Sequence, residues 1–98
     1  MRLSIVVPCF NEEGNVAQVV AQAAEVGRTL AMELEIIVVD DGSTDDTSRI
    51  LRELQTWVPE LVILRHPRNR GYGAAVRSGL ARARMEQVFL TDGDGQFD

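Results

Sequence analysis

The sequence predicts an α/β fold in which one parallel β-sheet lies between two layers of helices. Four short apolar runs, at residues 3–7, 34–39, 61–64 and 87–90, alternate with three stretches whose apolar residues recur at helical spacing. The runs consist mainly of Val, Ile and Leu and alternate little with polar residues, which is typical of strands covered on both faces. We therefore expect a three-layer α/β/α architecture with parallel strands in the order 3-2-1-4.

The first and third helices are predicted from their apolar faces. The first spans about residues 14–31, and the residues expected to face inward are Val16, Val19, Val20 and Ala23. The third spans about residues 72–84, and its expected inward residues are Val76, Leu80 and Ala83.

The second helix is predicted to begin at Ser43, because Asp46 three residues later resembles a capping box, and to stop before Pro59. Its expected core residues are Ile50, Leu51, Leu54, Trp57 and Val58. Trp57 stands at helical spacing from Leu54, so we assign it to the core and not to a ligand platform.

Size and charge limit the possible functions. The 98 residues, 45% of them hydrophobic, form at most one small domain, residues 1–98. A net charge of -5 argues against nucleic-acid binding, which requires a basic face. Cys9 is the only cysteine, so it forms no internal disulfide, and we interpret it as a small buried residue in a protein of a reducing, cytosolic compartment.

All ten basic side chains are arginines, and six of them lie between residues 65 and 84 with no acidic residue among them. These six are Arg65, Arg68, Arg70, Arg77, Arg82 and Arg84. They can form a cradle for a metal-bound diphosphate, or they can be solvated surface residues; the sequence leaves both interpretations open.

The last apolar run leads into a D-x-D-x-Q motif formed by Asp92, Asp94 and Gln96. On extended backbone, two residues spaced by two point the same way about 6.5 Å apart, so both carboxylates can bind one hard divalent cation with the amide oxygen as a third donor. The alternative is a solvated acidic turn. In a sheet of order 3-2-1-4, this motif, residues 8–12 and residues 40–43 all follow strands that end at the same edge.

Taken together, the motifs resemble those of inverting family 2 glycosyltransferases, whose GT-A fold contains a Rossmann-like half that binds the nucleotide sugar. The matching segments are residues 6–13, 35–47, 69–75 and 91–96, in the order typical of the family. Gln96 makes the resemblance greatest to the dolichol-phosphate mannose synthase-like branch, which transfers sugar to a polyprenyl phosphate.

The resemblance implies roles for individual residues. Pro8, Phe10 and Glu12 correspond to the base and ribose side of the nucleotide pocket. Asp41 corresponds to the carboxylate that accepts a ring N–H of the base, and Val39 packs beside it. For Asp41 and Asp40 the alternative is helix capping at the start of the second helix, and for Asp40 we weigh capping equally with a ligand contact.

The resemblance also implies a metal-bound donor diphosphate. Asp92, Asp94 and Gln96 correspond to ligands of Mg²⁺ or Mn²⁺, and Gly93 lies between them in the nucleotide-sugar site. Asp94 then acts catalytically through the metal, and Arg70 is a candidate phosphate contact.

The implied reaction is a direct displacement with inversion, from a UDP- or GDP-linked donor to a polyprenyl phosphate or another acceptor. In this family the acceptor half and any catalytic base follow the part corresponding to Asp98. We therefore expect the 98 residues alone to be inactive and to self-associate through an uncovered strand. We expect the full-length protein to be cytoplasmic or at the cytoplasmic face of a membrane.

Other families share single motifs with this chain. A haloacid dehalogenase-like phosphatase has a D-x-D-G loop, but after its first strand, whereas here the loop follows the fourth. A receiver-like signalling module is suggested by residues 38–41, but receivers need a lysine and this chain has none. A calcium loop requires glycine where Phe97 stands, and a dinucleotide fingerprint requires glycine or alanine where Val76 stands.

Overall fold

The computed structural model describes residues 1–91, and it contains the four strands and three helices that the sequence predicts. The strands are β1 (Arg2–Cys9), β2 (Glu33–Asp41), β3 (Leu61–His66) and β4 (Gln87–Leu90). The helices are α1 (Val16–Leu30), α2 (Thr47–Leu54) and α3 (Tyr72–Arg82). The first three strands are each longer than their apolar runs, because the residues next to those runs continue the pairing.

The sheet has the predicted order β3-β2-β1-β4, and every pair of neighbouring strands is parallel. Ile5 pairs with Ile36 on one side and with Phe89 on the other, which places β1 in the middle of the sheet. The loops that follow the strands therefore lie at one edge, which we call the carboxyl edge; the opposite one is the amino edge.

The sheet has one apolar core on each face, because successive strand residues point to opposite sides. On one face, α1 and α2 cover the sheet, and the fully buried residues include Ile5, Val7, Val19, Ile36 and Leu51. On the other face, α3 covers a smaller core formed by Val6, Ile37, Val39 and Ala75. Both faces are covered, which explains why the strands lack alternation.

Helix α3 packs through small residues and not through the large ones expected. Its buried residues are Ala74, Ala75 and Gly79, whereas Leu80 is 49% exposed and Val76 is only half-buried. A Cβ atom on Gly79 would lie 2.3 Å from Val6 Cγ1. The assignment of Leu80 to the core was wrong because the glycine lets the helix backbone approach the sheet, which turns a different side of the helix inward.

Helix α2 is shorter at both ends than expected. It begins after Asp46, and Asp45 Oδ1 accepts from its first backbone N–H, that of Thr47, at 2.9 Å and from the Thr47 hydroxyl. The Ser43 start was therefore wrong. Trp57 is 79% exposed, because the chain leaves the helix after Leu54 and tightens into a turn in which Trp57 N–H donates to Leu54 O at 2.9 Å.

At the amino edge, a buried carboxylate ties the sheet to the end of α3. Glu35 accepts hydrogen bonds from the Ser4 hydroxyl at 2.6 Å and from Arg84 N–H at 2.7 Å. Its other oxygen accepts from Arg82 Nη1 at 3.5 Å and from Arg84 Nε at 3.4 Å. Over residues 1–91, no helix has the length and apolar character needed to cross a membrane.

Candidate functional site

The loop after β1 and the loop after β2 are hydrogen-bonded to each other at the carboxyl edge. Asn11, which adopts a positive φ of 51°, donates its N–H to Ser43 Oγ at 3.0 Å, and its Oδ1 accepts from Thr44 N–H at 2.8 Å. Glu12 N–H donates to Thr47 Oγ1 at 2.9 Å. The structure thus brings together the first two of the three motifs that the sequence places at this edge.

The loop after β3 joins the same edge through a close backbone approach. Gly42 has a φ of 76°, and a Cβ atom there would lie 2.2 Å from the carbonyl carbon of Arg68 and 2.3 Å from Asn69 N. Only glycine allows the two loops to meet this closely in this conformation. The loops after three successive strands therefore form one continuous rim.

Asp40 and Asp41 are neighbours in the sequence but point to opposite faces of the sheet. Asp40 lies on the α1/α2 side, where it accepts a hydrogen bond from Ser43 N–H at 3.0 Å and a short one from the Ser48 hydroxyl. It has no solvent exposure. Asp40 therefore supports the turn that leads into α2, but it does not cap the helix, which begins after Asp46 with no side-chain cap.

Asp41 lies on the α3 side, where it fastens β2 to the chain that follows β3. Its Oδ1 accepts from Arg70 N–H at 3.0 Å and lies 2.7 Å from His66 Nδ1, and its Oδ2 accepts from Gly71 N–H at 2.9 Å. Burial opposes ionisation of this carboxyl, but the bonds from His66 and the two backbone N–H groups outweigh it and lower the pKa of Asp41. The carboxylate is therefore charged at neutral pH and only 3% exposed.

His66 is the residue of this site that the sequence reasoning missed. Its ring lies between Asp41 and α3, with Nε2 2.8 Å from the Ser78 hydroxyl. The sequence could have indicated its position, because every second residue of a strand points to the same face. Val62 and Leu64 face α3, and His66 is the next residue in this alternation. The predicted third strand stopped at Leu64, so this alternation was not followed far enough.

The remaining residues proposed for the nucleotide side lie in the strands and the loop that form this rim. Pro8 and Val39 are buried and paired in register, Phe10 is 42% exposed, and Glu12 is half-buried with its carboxylate accepting from Asn15 Nδ2 at 3.0 Å. Val6 O accepts from Thr91 N–H, so the even residues of β1 direct their backbone groups toward β4. The missing N–H of Pro8 therefore removes no bond to β2.

Cys9 is confirmed as a buried filler. It is 5% exposed, and burial, followed by the charge of Asp40, raises the pKa of its thiol to about 12. A thiol that stays protonated is a poor nucleophile and metal ligand.

The arginine-rich segment divides between the two edges of the sheet. Arg82 and Arg84 pair with Glu35 at the amino edge, which removes them from a cradle at the carboxyl edge. Arg68 and Arg70 lie in the loop after β3, where both are exposed and the backbone of Arg70 is bonded to Asp41. These contacts exclude the cradle interpretation for Arg82 and Arg84, whereas Arg68 and Arg70 still allow it.

The metal motif lies outside the described residues. Asp92, Gly93, Asp94 and Gln96 all follow Thr91, which is buried and bonded to Val6 of β1. Within residues 1–91, no group of three or more His, Cys, Asp or Glu side chains is placed to hold a metal ion. The metal assignment therefore stays a prediction.

Comparison with known families gives a match over nearly all of the chain, because the model of the family "Glycosyl transferase family 2" matches residues 4–98. The chain belongs to this family. Membership decides against the phosphatase and receiver alternatives, since each of those depends on one short motif whereas the match includes every element described above.

Two curated relatives show which part of a family 2 protein the chain resembles. The chain is 37% identical over 101 residues to dolichyl-phosphate beta-glucosyltransferase of Mus musculus, covering 96% of this chain and 31% of that protein. It is 36% identical over 97 residues to undecaprenyl-phosphate 4-deoxy-4-formamido-L-arabinose transferase of Pseudomonas fluorescens, covering 96% and 28%. The chain therefore spans about a third of the length of these relatives.

Solved structures confirm the GT-A fold. Residues 1–349 of S. aureus TarS in complex with UDP-GlcNAc match with a TM-score of 0.82 and 30% identity, over 96% of this chain and 27% of that one. The mannosyltransferase PcManGT of Pyrobaculum calidifontis, in complex with GDP-Man and Mn²⁺, matches with a TM-score of 0.81 and 29% identity, over 95% and 27%.

Proposed function

We propose that the protein carrying this chain transfers a sugar, with inversion, from a nucleoside diphosphate donor to a polyprenyl phosphate. The observation that carries the proposal is the ionised Asp41, held at the carboxyl edge where three loops meet. Similarity to two transferases named for dolichyl phosphate and undecaprenyl phosphate supports this class of acceptor. The donor is UDP- or GDP-linked, in line with the ligands of the similar structures.

The described residues form the base and ribose side of the donor site. A charged carboxylate accepts a base N–H strongly where water is excluded, which fits the burial of Asp41. Val39 and Pro8 are buried and lie near the ends of β2 and β1 beside this site, and Phe10 is exposed enough to contact a ring. Glu12, at the start of the first loop, accepts from a ribose hydroxyl or a base amide.

The diphosphate side is assigned to Asp92, Gly93, Asp94 and Gln96, with Arg70 as a further phosphate contact. Two carboxylates and an amide oxygen are the hard donors that suit Mg²⁺ or Mn²⁺. When bound, such an ion neutralises the negative charge that develops on the departing nucleoside diphosphate.

The acceptor determines how much more chemistry the protein must supply. A phosphate anion is already nucleophilic, so it attacks the anomeric carbon without a general base, whereas a hydroxyl acceptor needs one. The role of this chain is then to bind and orient the donor. A polyprenyl phosphate acceptor also places the reaction at a membrane surface, which we propose to be the cytoplasmic one.

Calorimetry on the whole protein tests the donor site. UDP or GDP should bind, and binding should strengthen when Mn²⁺ or Mg²⁺ is present. Asp94→Ala should abolish both this strengthening and sugar transfer, while Glu25→Ala on the exposed side of α1 should change neither. Metal-independent binding, or transfer by Asp94→Ala at the wild-type rate, would contradict the proposal.

A further inference from the structure

His66 is the chain's only histidine, and it is enclosed between two polar side chains. It is 7% exposed, with Nδ1 2.7 Å from Asp41 Oδ1 and Nε2 2.8 Å from Ser78 Oγ. These contacts link the end of β3 to the end of β2 and to the middle of α3. A histidine with a partner on each nitrogen has a defined ring orientation.

The partners also define the tautomer of the ring. An ionised carboxylate can only accept a hydrogen bond, so the contact with Asp41 requires the proton on Nδ1. In the neutral ring, Nε2 is then an acceptor, and the Ser78 hydroxyl donates to it. Because a hydroxyl can donate or accept, Asp41 fixes the tautomer and the Ser78 hydroxyl adapts to it.

We propose that His66 is a positioning residue for nucleotide recognition, in which its Nδ1–H holds the Asp41 carboxylate at the angle that receives the base. This inference rests on the proposed function, because it assigns Asp41 to the base. Within residues 1–91, Oδ1 accepts both from His66 and from Arg70 N–H, whereas Oδ2 accepts only from Gly71 N–H. Oδ2 therefore has an acceptor position left for a donor from the ligand.

Preorganisation explains why this contact affects affinity. The backbone N–H groups of Arg70 and Gly71 belong to a loop, whereas His66 is the last residue of a sheet strand. Without the imidazole, the carboxylate depends on the loop alone, and part of the binding free energy is lost in ordering it. We therefore expect removal of the Nδ1–H donor to weaken binding of the nucleoside diphosphate about tenfold, the effect of one hydrogen bond to a charged group.

The first test is spectroscopic and does not depend on nucleotide binding. Nitrogen-15 NMR of histidine-labelled whole protein should show the Nδ1–H tautomer for His66, whose signal is identified by its loss in His66→Asn. Ser78→Ala should leave this tautomer in place, because the Asp41 carboxylate still requires the proton on Nδ1. An Nε2–H tautomer in the wild type would overturn the proposal.

The second test compares three variants by nucleotide affinity and by stability. His66→Leu removes both ring contacts and should raise the Kd about tenfold, whereas His66→Asn can still donate from the Nδ1 position and should recover most of the affinity. Ser4→Ala is the matched control, because it removes a buried hydrogen bond to Glu35 at the amino edge. It should lower stability and leave the Kd unchanged.

The outcomes separate this inference from the function on which it rests. If the wild type binds no nucleoside diphosphate, the proposed function fails and the role of His66 in it fails too, whatever tautomer the ring adopts. If Asp41→Ala weakens binding but His66→Leu does not, the function stands and the positioning role is overturned. Equal weakening by His66→Leu and His66→Asn would also overturn it, because the donor at Nδ1 would then be irrelevant.

Discussion

On the side of the sheet that faces α3, strand β2 buries one carboxylate near each end, and the two have different numbers of hydrogen-bond donors. Glu35 at the amino edge and Asp41 at the carboxyl edge are both 3% exposed, and both have a lowered pKa. Each oxygen of Glu35 has two donors, including the guanidinium groups of Arg82 and Arg84. Within residues 1–91, Oδ2 of Asp41 has one donor, Gly71 N–H.

This difference separates a structural carboxylate from a candidate binding carboxylate. A buried charge whose acceptor positions are all filled contributes to the fold and has nothing left to offer a ligand. A buried charge with an acceptor position remaining can receive a donor from outside, where low local polarity makes that bond strong. Substitution of Glu35 should therefore lower stability without changing ligand affinity, whereas substitution of Asp41 should weaken ligand binding.

The largest effect is expected from Gly42→Ala at the carboxyl edge. The new Cβ would require a left-handed backbone for a non-glycine residue and would overlap the peptide between Arg68 and Asn69. We expect a loss of about 3 kcal/mol or more in the free energy of unfolding, measured by urea denaturation. Gly14→Ala is the control, because its Cβ would meet nothing within 4 Å, and it should be nearly neutral. Equal stability of the two variants would show that the loops do not meet as described.

The next effect concerns the amino edge, where Glu35→Gln should cost about 2 kcal/mol at neutral pH because it removes a buried charged acceptor from four donors. Burial raises the pKa of Glu35, but the bonds from Ser4 and Arg84 and the charge of Arg82 outweigh it and lower the pKa. The ionised Glu35 therefore contributes its full stabilisation of the fold above pH 4.5, the ordinary pKa of a glutamate. This contribution is lost as the pH falls through the lowered pKa of the folded state.

Urea denaturation at several pH values checks this sign. The stability difference between wild type and Glu35→Gln should narrow as the pH drops below 4.5. Glu33→Gln, at an exposed position two residues away, should change stability little at any pH. The affinity of Glu35→Gln for nucleoside diphosphates should equal that of the wild type; a weakened affinity would remove the distinction between the two ends of β2.

Substitutions of two glycines in α3 are expected to have smaller effects and test how closely this helix packs against the sheet. Gly79→Ala should destabilise the protein by about 1–2 kcal/mol, because its Cβ would overlap Val6 beneath the helix. Gly73→Ala should be neutral or stabilising by up to about 1 kcal/mol, since its Cβ would meet only the flexible end of Arg77 and alanine favours the helix. If both substitutions stabilise the protein, α3 does not lie as close to β1 as described.

The sequence predicted the sheet and its order because long apolar runs and connection lengths depend on local pattern and chain topology. It placed Asp41 at the correct edge for the same reason. It did not predict that donors fill the acceptor positions of Glu35, one of them from Arg84, 49 positions away. Nor did it predict the contact between His66 and Asp41, which are 25 positions apart. Such contacts depend on side-chain directions across the assembled sheet, which no local spacing encodes.

The smallest effect is expected from Trp57→Ala, where helical spacing was misleading. Trp57 is 79% exposed in the turn that leads to the start of β3, at the same edge that buries the charged Glu35. Its replacement should cost about 0.5 kcal/mol, since little apolar area leaves contact with the protein, whereas Leu51→Ala, at a fully buried position of α2, should cost about 2–5 kcal/mol. Tryptophan fluorescence gives an independent check, because the signal lost in Trp57→Phe should show the red-shifted emission and ready quenching of a hydrated indole. A blue-shifted emission for Trp57, together with a loss of stability near that of Leu51→Ala, would show that Trp57 is buried. The helix would then continue past Leu54, as the helical spacing of Trp57 and Leu54 suggested.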